Sequence, residues 1–93
     1  MDNISLNGQT VYGSTIELFG AKLMVIKTSR GMLGCGYLNV QTAEKLGHAL
    51  AVVTGVASYG DMLKAEVKLC SAAAAALGVA PGMTGAEALE KMS

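Results

Sequence analysis

A thiol set between two glycines, Gly34-Cys35-Gly36, is the part of this chain whose residue types most directly suggest chemistry. Bare backbone on either side of a cysteine lets a ligand or redox partner come close, and a reactive thiol needs that access together with an electropositive setting. Lys27 and Arg30 supply such a setting only by folding back toward the cysteine. The competing expectation is that Cys35 packs as a small hydrophobe between Leu33 and Tyr37, since cysteine is among the most buried residue types. His48 is the only histidine, so a Cys-His nucleophilic pair has to join Cys35 to His48. The pattern around His48 points it to water, and no catalytic residue is assigned beyond Cys35 as a candidate. Cys70 stands among helix-packing residues and reads as structural.

Other constellations carry less. One histidine, two separated cysteines and scattered acids offer no metal-ligand spacing, and no cofactor is expected. Gly31-x-x-Gly34-x-Gly36 has the intervals of a dinucleotide fingerprint in reverse order and lies within an expected strand, so it is set aside. The run 81–85 before a helix could hold an anion on free N–H groups. Thr84 and Glu87 form a capping box that satisfies those same donors.

Elements that position these residues follow from patterning. A first strand at 4–6 and the turn dipeptide Asn7-Gly8 begin a hairpin. The second strand spans 10–19, with a bend or bulge at Gly13, and Gly20 turns the chain into a third strand at 22–28. Leu23, Met24, Val25 and Ile26 make that strand apolar on both faces, and both faces therefore need cover. The glycine and cysteine strand is expected at 32–38. It places Gly34 and Gly36 on one face, with Leu33, Cys35 and Tyr37 on the other. A glycine inside a strand marks a close backbone approach, a bulge or a bound ligand, with nothing in the sequence choosing among them, so Gly34 and Gly36 are the candidate binding positions. Asn39 caps a helix over 40–49, residues 51–56 form a strand buried on both sides, and Ser58 caps a short helical turn. The alanine-rich run predicts a helix over 65–77 ended by Gly78, and the capping box opens a last helix over 85–92. Hairpins first and helices gathered afterwards indicate an α+β domain, a small mixed β-sheet of mainly antiparallel N-terminal strands with helices packed on one face. One domain spans 1–93, with a β-rich part at 1–38 and a helix-rich part at 39–93 holding one strand.

Composition bounds the partners. The chain is 52% hydrophobic and 15% charged, and a charged fraction of about 25% is typical of soluble domains. So little charge on so small a surface implies that other copies of the chain cover part of it. Seven basic and seven acidic residues cancel, which excludes bulk electrostatic attraction to nucleic acid. The longest apolar run is too short to span a membrane. Two isolated cysteines and no basic-then-apolar leader fit a cytoplasmic protein with reduced thiols.

Several stretches together resemble the DUF1805 or YunC-like family of bacteria and archaea. They are Gly31 with residues 35–40 (Cys-Gly-Tyr-Leu-Asn-Val), 42–47 (Thr-Ala-Glu-Lys-Leu-Gly), 54–56 (Thr-Gly-Val), 61–63 (Asp-Met-Leu), 77–79 (Leu-Gly-Val), 81–85 (Pro-Gly-Met-Thr-Gly) and 87–89 (Glu-Ala-Leu). The resemblance implies an N-terminal β-region through which members assemble into tetramers, and no settled biochemical activity. The expectation is thus a homo-oligomer, a tetramer, serving a structural or small-ligand-binding role. The alternative is a thiol-dependent enzyme or redox protein using Cys35.

Overall fold

The computed structural model describes residues 2–6, 8–36 and 38–93. Among the described residues six strands form one sheet in the order β1-β2-β3-β4-β5-β6. β1 (Asp2–Leu6), β2 (Gln9–Leu18), β3 (Ala21–Lys27) and β4 (Met32–Gly34) run antiparallel in succession. β5 (Leu50–Val52) lies parallel to β4, because α1 (Val40–Leu46) carries the chain back between them. β6 (Leu69–Cys70) pairs antiparallel with β5 and closes the far edge. Three further helices follow from the chain order: α2 (Tyr59–Lys64), α3 (Ala72–Ala76) and α4 (Gly85–Met92).

Strand alternation divides the apolar residues between two faces. The inner face carries Val11, Met24, Ile26, Leu33 and Ala51, all nearly inaccessible, and α2 and α4 cover it with Met62, Leu89 and Met92. Ala74 of α3 joins the same core. On the opposite face Ala43 of α1 packs over Leu50, Val52 and Met32. Helices therefore gather on one face apart from α1, which a crossover between parallel neighbours places on the other. α1 shelters β4 and β5, and among the described residues no helix lies over the outer face of β2 and β3.

Four features differ from the sequence expectation, the first being the strand expected over 51–56, which is β5 and ends at Val52. Asn7 of the first turn lies outside the described residues, while Gly8 has φ 82° and Leu6 pairs with Gln9. Gly13 introduces no bulge, since it pairs in continuous register with Asp2 on one side and Ile26 on the other. α1 stops at Leu46, where Gly47 takes the left-handed conformation at φ 72° and its N–H donates to Ala43 and Glu44 carbonyls. The helix expected over 65–77 is instead an extended segment, β6 and the five-residue α3. Its backbone is claimed by distant partners: Val67 donates to the Met83 carbonyl at 2.8 Å and Lys68 to that of Val52 at 2.8 Å. Ser71 then starts α3 by accepting the Ala74 N–H.

Candidate functional site

β4 ends at Gly34, three residues into the strand expected over 32–38. The N–H of Leu38 donates to the Cys35 carbonyl at 3.0 Å, which folds the chain back. Leu38 consequently lies over Gly34, in the space where a Cβ would stand. Gly34 is bare so that its own chain can return across it. Gly36 differs, being exposed with only the Thr54 methyl within contact range of a Cβ position. Tyr37 lies outside the described residues.

Cys35 sits just beyond the end of β4 and is 6% exposed. Its N–H donates to the Met24 carbonyl at 3.0 Å, and the Met24 N–H donates to its Sγ at 3.2 Å. The thiol can in turn donate to the Lys22 carbonyl, 3.7 Å away. Backbone of β3 thus clasps the sulfur from two sides.

Because β4 and β5 are parallel, their carboxyl ends open at the same edge. There a shallow groove of ≈ 500 Å³ runs between Gly20, Ala21 and Lys22 on one side and Cys35, Gly36 and Gly55 to Ala57 on the other. Ligands of open sheets with parallel strands commonly bind outside the carboxyl ends, where connecting loops diverge. The floor is mostly backbone of small residues, the single cation is Lys22, and the Cys35 sulfur borders it. The groove joins two sequence candidates, Cys35 and Gly36, to residues that sequence reasoning passed over. The run 55–57 carried a recoverable signal in the strand-helix-strand order 32–56, which requires parallel pairing and brings the carboxyl ends together, whereas Lys22 arrives on β3, the antiparallel neighbour of β4.

His48 is not part of this site. It follows α1 and precedes β5, beside the amino ends of β4 and β5, where Met32 donates to the Ala49 carbonyl at 3.0 Å. Cys35 lies at the other end, next to Val53, whose N–H donates to the Gly34 carbonyl. Four residues of extended chain separate those levels, or roughly 13 Å, so no proton passes directly between thiol and imidazole. Cys70 reads as structural here too, half-buried with its sulfur 3.8 Å from the Val79 carbonyl. The anion cradle weighed at 81–85 is filled by its own cap. Thr84 donates its N–H to Glu87 Oε1 at 3.0 Å, and Thr84 Oγ1 accepts the Glu87 N–H at 3.2 Å. Among the described residues no cluster of three His, Cys, Asp or Glu side chains is placed to hold a metal, and no helix is long and apolar enough to cross a membrane.

The topology and cleft define a small α+β domain in which one parallel β-α-β unit, inserted into an otherwise antiparallel sheet, opens a shallow groove beside a buried thiol. The chain belongs to the family described as "Domain of unknown function (DUF1805)", whose profile matches residues 34–92. It is similar to the uncharacterized protein YunC of Bacillus subtilis, 33% identical over 93 residues that cover 96% of this chain and 92% of that protein. It is also similar to the crystal structure of a protein of unknown function from Thermoplasma acidophilum, with a TM-score of 0.93 and 35% identity. That match covers 99% of this chain and 90% of the other.

Proposed function

We propose that this protein is a homo-oligomeric small-ligand-binding domain. In this proposal the β2–β3 hairpin makes the subunit contact, and the groove beside Gly36 and Cys35 receives the ligand. The observation that carries the assembly is the shape and chemistry of that hairpin. β1 pairs with β2 only as far as Gly13 and β4 with β3 only from Val25, with Cys35 reaching on to Met24 and Lys22 and Tyr59 to Thr15, so residues 16–23 form the arm of the hairpin that reaches farthest beyond its neighbours. An isolated hairpin is marginal in water. On its outer face stand Ile16, Leu18, Ala21 and Leu23, and Ile16 is 55% exposed.

At the tip, Leu18 pairs with Ala21 across the two-residue loop Phe19-Gly20, in which both φ angles are positive, 46° and 85°. Such a turn selects Asn, Asp or Gly at its first position. A fully exposed phenylalanine there costs backbone strain and solvation together, and cover by a second copy offsets both. A tetramer agrees with the family resemblance, and a cytoplasmic location with the two free thiols.

Sedimentation equilibrium at micromolar concentration tests the assembly. Wild type is expected to sediment as a multiple of the chain mass. Ile16→Lys and Phe19→Asn, the latter a residue the turn prefers, are expected to sediment as folded single chains. A folded wild-type monomer overturns the assembly. A second reading, thiol-dependent chemistry at Cys35, is favoured by one observation, that the sulfur borders the groove.

A further inference from the structure

A second groove, ≈ 470 Å³, lies on the outer sheet face between β2, β3 and the end of α1. Val25, Met32 and the ring of Tyr12 form an apolar floor, with Tyr12 44% exposed. Around it stand Lys27, Arg30 and His48, and among the described residues no side-chain carboxylate lines it. Arg30 is held in place from behind: its Nε donates to the Ser93 carbonyl at 2.9 Å and its Nη2 to that of Lys91 at 3.0 Å. Lys27 and His48 are exposed and lie at the two sides, on β3 and after α1. Apolar walls with a few convergent polar groups are the usual make-up of a small-molecule site, and a one-sided cationic rim selects anions.

We propose that this groove binds a small organic anion with an aromatic or apolar body, the carboxylate lying toward Lys27 and His48 and the body resting on Tyr12, Val25 and Met32. Tyrosine and methionine both favour an aromatic guest, through ring packing and sulfur contact respectively. The position is separate from the first groove, which opens at the other end of β4, and from Phe19, roughly 20 Å away along β3.

The test is a titration of the ¹⁵N-labelled protein with benzoate, followed by amide shifts, with benzamide as the neutral isostere. Expected are saturable shifts at Val25, Lys27, Met32, Gly47 and His48, and weaker binding of benzamide. Lys27→Gln and His48→Gln, both surface changes, should each weaken benzoate by about tenfold, the effect of losing one charge-assisted contact, while the spectrum otherwise stays unchanged. Equal binding of benzamide and benzoate, or unchanged affinity in both variants, overturns the assignment. So does the absence of saturable shifts at these amides, including the case in which a second copy of the chain fills the groove.

Discussion

Cys35 is held by three backbone contacts to β3 and is 6% exposed, whereas Cys70 is half-buried beside α3. A thiol reacts through its exposed thiolate, so access separates the two. Folded protein treated with a small maleimide near neutral pH should therefore label at Cys70 first, with Cys35 protected until denaturant is added. Peptide mapping of the labelled sites reads the order. Rapid labelling of Cys35 in the native state would favour thiol chemistry in the groove over simple ligand binding. Leu38 explains why the two glycines beside this cysteine, alike in sequence, differ in role. The chain turns back after Cys35 and lays Leu38 on Gly34, leaving Gly36 as the one that faces open space.

At the scale of elements, α4 depends on a cap whose pH behaviour can be worked out. The Glu87 carboxylate accepts the Thr84 N–H at 3.0 Å and the Thr84 hydroxyl at 3.1 Å. These bonds, the backbone one foremost, hold its pKa below the ordinary value of 4.5, with a smaller contribution from Lys91. A carboxylate whose pKa is lower folded than unfolded contributes stability that is complete above the unfolded pKa and is lost as pH falls through the folded one. Glu87→Gln should accordingly melt below wild type at neutral pH, and the gap should close as the pH falls below 4.5. Thr84→Ala removes the other half of the box and should cost about 1 kcal/mol in urea denaturation.

This cap was legible in the sequence because its partners lie within three residues of each other, as do those of the Asn39 and Ser58 caps, with side chains accepting from Gln41 and Asp61. The segment 65–77 was not legible. Its alanines favour a helix locally, but Ser71 Oγ accepts the Leu50 N–H at 2.9 Å and donates to the His48 carbonyl at 2.8 Å, fastening the chain to β5 across more than 20 residues. Long-range bonds of this kind override propensity and leave no local mark. The groove was half legible for the same reason. Gly-Cys-Gly announced one wall, and the other required knowing that β4 and β5 run parallel.

For the whole molecule, the inner sheet face and the patch under α1 are closed by the chain's own helices, and the outer face of the arm is not. A ten-residue β2 and a seven-residue β3 outrun both neighbours, so among the described residues the outer face of their far ends has cross-strand pairing but no layer against it, while Tyr59 and Cys35 reach part of the inner face. If identical copies supply that layer, association and folding are linked equilibria, because only the folded arm presents Ile16, Leu18 and Leu23 on a single face. Mass action then makes the melting temperature depend on protein concentration, as it does for any species that binds the native state alone. Calorimetric scans across a hundredfold dilution from the micromolar range should show the transition moving down steadily for wild type. The same dilution should leave Ile16→Lys unmoved, at or below the lowest wild-type value. A wild-type transition independent of concentration, at full helical and sheet signal, would mean that a single chain tolerates its bare arm, and the assembly would have to be abandoned.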